Sequence, residues 1–138
     1  MNWTDVTQHI SGYAHLATAA PDGTPHVSLA AAAVDRDLLW IGTRASSRKA
    51  RNIAANPRVA LMWTPEAEVY VRGTADLIDE LDEKRRIWHS GVFAYDLAAF
   101  FGSPDDADFV FVRIQPQSAT VLTQGDRGIE RRRWVAPA

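Results

Sequence analysis

"GTRASSRKARNIAANPRV", residues 42–59, contains the end of one strand, a whole short helix and the start of another strand, and the fold follows from how the three join. The stretch continues an apolar run, "LLWIGT" (38–43), that reads as a strand ending in threonine. Ala50, Ile53 and Ala54 then fall at helical spacing, and Ser46 or Ser47 supplies the capping oxygen. Asn56-Pro57 ends the helix, because a residue before proline is pushed out of the α region. "RVALMW" (58–63) resumes as a strand.

Upstream, "YAHLATAA" alternates and stops at "PDG", where Gly23 takes the positive φ that other residues resist. "PHVSLAAAAV" and "LLWIGT" flank "DRD", so 13–43 reads as a three-stranded antiparallel meander. A short helix opens the chain within 1–12, with Thr4 as its N-cap and Val6, Ile10 and Tyr13 on one side. Downstream, "VYVRGTADLI" places Val69, Val71, Gly73, Ala75 and Leu77 on one strand face, with Gly73 marking a bulge or a close approach. "DELDEKRRIWHSG" carries acids early and bases late, as a helix dipole favours, and "AYDLAAFFG" adds another short helix. "DFVFVRI" and "SATVL" read as closing strands around the turn "QPQ", leaving 125–138 as a tail. Six or seven strands without a βαβ rhythm, plus short helices, predict a mainly β single domain over 1–138: a small antiparallel barrel with its helices outside.

Bulk properties narrow the function. The chain has 138 residues, enough for one core, and no cysteine, which excludes a disulfide framework, an iron–sulfur cluster, a thiolate zinc site and a cysteine nucleophile. "MNWTDVTQHI" lacks the basic start and apolar core of a signal peptide, and "LAAAAV" is far too short to span a bilayer, so a cytoplasmic protein without membrane contact is expected. The net charge of −2 gives no broad basic face for a duplex, and no nucleic-acid partner is expected.

The positive patch at 48–51 is sized instead for one small anion. A strand running into a serine-capped helix aims free backbone N–H groups and the positive helix end at one point. Ser46, Ser47, Arg48 and Lys49 add hydroxyl donors, a guanidinium fork and an ammonium, the donor mixture suited to a phosphate monoester.

"SRKARNIAANPRVAL" resembles the helix-and-strand segment of the pyridoxamine 5′-phosphate oxidase-like, flavin-binding split-barrel family, as do "LATAAPDGTPHVS" before it and "VYVRGTADL" after it, in the same order between residues 16 and 78. The resemblance implies a six-stranded split β-barrel that forms homodimers, with flavin mononucleotide (FMN) at the subunit interface. It also implies that Thr43, Ser47, Arg48 and Lys49, with Ser46 beside them, contact the flavin phosphate, and that the backbone of 28–31 (Ser28, Leu29 and Ala30 among them) lies along the flavin ring. Three positions depart from the vitamin oxidases: Ser28 stands in place of a phosphate-binding arginine, Ala33 near the position of a lysine by the ring, and Glu68 in place of a glutamine on the strand facing the cofactor. The C-terminal arginine-histidine substrate signature is missing as well, so pyridoxamine phosphate is not the expected substrate. The "FFGSPDDADFVFVRIQPQSA" segment is similar to the general-stress-protein branch, and a related branch binds a phosphorylated deazaflavin coenzyme in the same groove.

The other candidates read as structural. His9, His15, His26 and His89 form no metal-binding spacing, and no G-x-S-x-G elbow exists. Asp105-Asp106 reads as a solvated turn cap and Trp88 as core, whereas Trp63, ending a strand near the anion site, is a candidate ring neighbour. The arginines of "RRRW" read as a solvated end or a dimer contact. The sequence therefore predicts an FMN-dependent oxidoreductase with a small-molecule redox substrate and no required catalytic side chain. A deazaflavin-dependent reductase and a non-catalytic flavin carrier are the alternatives.

Overall fold

The computed structural model describes residues 1–138. In chain order the elements are α1 (Trp3–Thr7), β1 (Ala14–Ala19), β2 (Pro25–Ala30), β3 (Ala33–Asp35), β4 (Leu38–Arg44), α2 (Arg48–Ala55), β5 (Arg58–Trp63), β6 (Glu68–Ile78), α3 (Leu81–Trp88), α4 (Leu97–Phe101), β7 (Phe109–Gly125) and β8 (Gly128–Val135). All strand pairs are antiparallel, in the order β2-β1-β5-β6-β7-β4-β3, with β8 added to β7. The mainly β expectation holds, but the sheet has eight strands and its hydrogen-bonded path ends at β2 and β3 without closing.

The two extra strands have physical causes. The run 25–34 breaks at Ala31-Ala32, and β2 and β3 go to opposite ends of the sheet, so the expected meander over 13–43 does not form. Consecutive alanines carry no inside–outside pattern to hold a single register through that point. The C-terminal stretch pairs along β7 from Gly125↔Gly128 to Ser118↔Val135 and is no tail. Its Trp134 packs on Trp3, ring centroids 5.0 Å apart, which ties β8 to α1.

β7 runs unbroken through "QPQ", where a turn was expected. On one side it pairs with β4 up to Ile114 and with β8 only from Ser118 on, so residues 115–117 have no strand there and the N–H that Pro116 lacks is not missed. Opposite Pro116, β6 shifts register between Arg72 and Gly73. A Cβ at Gly73 would collide with the carbonyl oxygen of Gln115, so both sequence readings of this glycine hold. The N-cap of α1 is Asn2 in a capping box with Asp5, not Thr4, and the helix ends before Ile10 and Tyr13.

Alternation along β6 buries Val69, Val71, Gly73 and Ala75. With Leu16, Leu61, Ile53 and Trp63 they form the inner core, which α1 and α2 help to cover. β4 is buried on both faces: Leu39 and Ile41 face this core, while Trp40 joins Phe109 and Phe111 in a second cluster with Ile87 of α3 and Leu97 of α4. Lys84 enters that second cluster from α3 with only 4% exposure; its Nζ donates to the carbonyls of Phe109 (2.8 Å) and Asp106 (3.2 Å). The ammonium thereby ties α3 to the loop 102–108 that leads into β7. No helix is long and apolar enough to cross a membrane.

Candidate functional site

The start of α2 is built on that loop. Ser46 donates twice to Asp108, from its amide to Oδ1 (2.9 Å) and from its hydroxyl to Oδ2 (2.8 Å), and the Ala45 amide donates to the Asp108 carbonyl (2.6 Å). Asp108 therefore fixes the turn between β4 and α2. Ser47 is the N-cap: its Oγ accepts from the Ala50 amide (3.2 Å) and lies 3.2 Å from Thr43 Oγ1. Two hydroxyls share one bond between them, so one hydroxyl proton of this pair is left to donate outward. The first intrahelical bond runs from the Arg51 amide to the Ser47 carbonyl, which leaves the amides of Arg48 and Lys49 in the open first turn.

Lys49 reaches from the same turn toward edge strand β2, its Nζ 3.4 Å from the carbonyl oxygen of Leu29. It is half-buried, and burial holds its pKa below the ordinary lysine value. No carboxylate lies within ion-pair distance of it. An anion arriving here would restore the solvation that the ammonium has lost.

Thr43, Ser47 and Lys49 line one part of a groove of about 620 Å³. Its floor includes Ala30 to Val34 and Gly42, and another part of its wall is aromatic: Tyr13, Phe93, Tyr95, Phe100 and Phe101. Gly42 makes that wall possible, since a Cβ there would come within 3.0 Å of Phe101 Cε2 and 3.2 Å of Phe109 Cε1. The groove thus joins a cationic, hydroxyl-rich region to an apolar, aromatic one, which suits a phosphorylated molecule bearing a flat ring.

Of the residues singled out from sequence, Leu29, Ala30, Ala31, Ala33, Thr43, Ser47 and Lys49 line this groove, and Ser28, Ser46, Arg48, Trp63 and Glu68 do not. Ser28 shares the inner sheet face with its partner Leu16, and its Oγ is buried without a hydrogen-bond partner. The Ser46 hydroxyl is committed to Asp108, and Arg48 is exposed outside the lining. Trp63 is wholly buried in the inner core, because the alternation of β5 turns it inward with Val59 and Leu61; it is no ring neighbour in its own chain. Glu68 lies on the outward face of β6, where its Oε1 accepts from the Tyr70 hydroxyl (2.6 Å).

Sequence reading missed the aromatic wall, although "VFAYDLAAFF" (92–101) is dense in aromatics. It also missed Arg44, which lines the groove 3.6 Å from an Asp106 oxygen. Asp105 and Asp106 are not simply solvated: Asp105 accepts two bonds from Arg85 (2.9 and 2.8 Å), and Asp106 Oδ1 accepts from the Asp108 amide (2.9 Å). Together they hold the loop that positions Ser46.

Comparison with known proteins agrees with this architecture. The profile of the family described as pyridoxamine 5′-phosphate oxidase matches residues 9–122. Among solved structures, General Stress Protein 26 from Bacillus anthracis str. Sterne is 21% identical, with a TM-score of 0.70 over 95% of this chain and 97% of that one. PhzG from Burkholderia lata 383, solved with tetrahydrophenazine-1-carboxylic acid, is 17% identical, with a TM-score of 0.74 over 98% and 82%. An F420 reductase is 31% identical, with a TM-score of 0.56 over 78% of this chain and 87% of that one. No curated protein sequence matches significantly. With most of its length matched by the family profile and the same split-barrel architecture in these structures, the chain belongs to the pyridoxamine 5′-phosphate oxidase family.

Proposed function

We propose that the protein is an FMN-dependent oxidoreductase acting on a small organic substrate other than pyridoxamine phosphate. The observation that carries this reading is the convergence of Thr43, Ser47 and Lys49 on the open first turn of α2, in a groove that is also walled by aromatic rings. The donor set fits the group. A free hydroxyl proton, an ammonium without a counter-charge and two first-turn amides would hold a phosphate monoester, while Leu29 and Ala30 of β2 would border the ring. Bound flavin would supply hydride transfer at its N5. The chain itself binds the phosphate, orients the ring against β2 and excludes water with Tyr95, Phe93 and Phe101.

The proposal includes a homodimer. Tyr13, Leu29 and Phe100 are about 60% exposed around the groove, as is Val27 on β2, an apolar rim that a second copy would cover. Glu68 lies off its own chain's groove, so it would approach a flavin only across such an interface, where a carboxylate disfavours the reduced, more negative ring. A cysteine-free chain also suits the reducing cytoplasm we assign to it.

The 31% identity to an F420 reductase favours one second reading, in which a deazaflavin coenzyme occupies the same groove. The visible spectrum of the purified protein titrated with each cofactor separates the two readings. Stopped-flow reduction then tests turnover: bound cofactor reduced by NADH or NADPH no faster than free cofactor would assign the protein as a carrier. Saturable binding of neither cofactor would remove the proposal.

A further inference from the structure

Lys84 is the only charged side chain among the buried residues, and no carboxylate lies within ion-pair distance of it. Its Nζ sits 5.9 Å from the centroid of the Phe109 ring and donates to two backbone carbonyls, those of Asp106 and Phe109. Taking an ammonium out of water is costly, and an apolar side chain of similar length would fill the same space without that cost. What the ammonium adds is direction: it fixes where two carbonyls of one tight turn must point.

Those carbonyls bracket Asp108. The turn closes on itself, with the Phe109 amide donating to the Asp106 carbonyl (3.0 Å) and the Asp108 amide to Asp106 Oδ1 (2.9 Å). Asp108 in turn accepts three bonds from the residues just ahead of α2, the Ala45 amide on its carbonyl and the Ser46 amide and hydroxyl on its carboxylate. Ser47, the N-cap, follows directly. An unbroken series of hydrogen bonds, none longer than 3.2 Å, therefore runs from Lys84 through residues 106–109 to the start of α2. The neighbouring Arg85–Asp105 pair reaches the same loop, but both partners are about half exposed and water weakens their attraction. Lys84 is the buried hold on this turn.

We infer that Lys84 is a positioning residue for the anion end of the groove: it fixes the turn 106–109 so that Asp108 sets the entry into α2, where Thr43, Ser47 and Lys49 meet. The inference rests on the flavin reading for the identity of the ligand, but not for the placement of α2. The test is Lys84→Met, which nearly keeps the side-chain length and removes its donors. In the ligand-free variant the amides of Ala45, Ser46, Ala50 and Arg51, all hydrogen-bonded in the fold, should exchange about tenfold faster or more, while those of β5 keep their rates. FMN should bind about tenfold more weakly or worse, and riboflavin, which lacks the phosphate, within about twofold of its affinity for the unsubstituted protein. A side chain that merely supported the fold would instead weaken both flavins alike and speed exchange throughout. Adding Lys84→Met to Asp108→Ala should change exchange at these amides little further, because the two residues act in series. Should Lys84→Met fail to fold, Lys84→Gln, which keeps one donor group, is measured in the same way and should show smaller effects of the same pattern. Unchanged exchange ahead of α2, equal losses for the two flavins, or additive effects in the double variant would overturn the inference. Saturation of the unsubstituted protein by neither flavin would overturn the flavin reading alone, with the exchange rates still deciding the role of Lys84.

Discussion

Asp108→Ala removes both acceptors that hold Ser46 and so tests whether the loop 102–108 positions the start of α2. Hydrogen bonds to a charged group contribute about 1.5–3 kcal/mol each when well buried. Here both lie at the surface, where water replaces much of what is lost, so the pair is worth about 1–2 kcal/mol in total. For a chain of this length that is a fall in Tm of about 3–8 °C. Asp108→Asn keeps one acceptor and should lose about half as much. Because Ser46→Ala deletes only the hydroxyl donor, the double-mutant cycle with Asp108→Ala should show a coupling of about 0.5–1 kcal/mol. Thermal unfolding of the unsubstituted protein, the three single variants and the double variant measures all of this, and amide exchange at residues 48–51 should rise wherever Asp108→Ala is present. A change in stability below about 0.3 kcal/mol with no coupling would mean that the two bonds do not hold the start of α2.

Lys49→Met should leave stability unchanged or slightly raised, because a half-buried ammonium without a carboxylate partner is removed, yet phosphate-ligand affinity should fall at least tenfold, about 1.4 kcal/mol. Burial lowers the folded-state pKa of Lys49, so anion affinity should decline as pH rises through that lowered value, before an ordinary lysine would titrate. Over the same interval folding stability should rise, because the unfolded chain holds the proton longer and the cost of burying the charge disappears; Lys49→Met should abolish both slopes. Gly73→Ala forces a Cβ into the backbone of Gln115, which has no side-chain freedom with which to yield, and should cost more than about 2 kcal/mol in denaturant unfolding.

What the sequence made legible was what local rules govern. A serine cap at 46 or 47, the stop at Asn56-Pro57, the buried face of β6 and the bulge at Gly73 each follow from one residue's stereochemistry or from strict alternation. The misreadings share another cause: they depended on partners distant in sequence. Pro116 reads as a turn until it is known that β7 changes neighbour from β4 to β8 beside it. Residues 125–138 read as a tail because the apolar anchor of β8, Trp134 on Trp3, spans almost the whole chain. At the candidate site, the donors around α2 were visible because they are contiguous. The aromatic wall was not, since it forms only when α4 folds over β4 and Gly42 leaves room for Phe101. Ser46 and Trp63 were misplaced for the same reason: Asp108, sixty-two residues on, claims one, and the inner core claims the other.

The proposed function requires that the start of α2 grip a phosphate and so seat a redox ring in the adjoining groove. Parallel fluorescence titrations with FMN and with riboflavin, its counterpart lacking the phosphate, address it most directly. FMN should saturate the protein and bind at least tenfold more tightly than riboflavin, a difference of about 1.4 kcal/mol or more, and Lys49→Met should erase the difference. Equal affinity for the two flavins in the unsubstituted protein would mean that the start of α2 does not hold the phosphate.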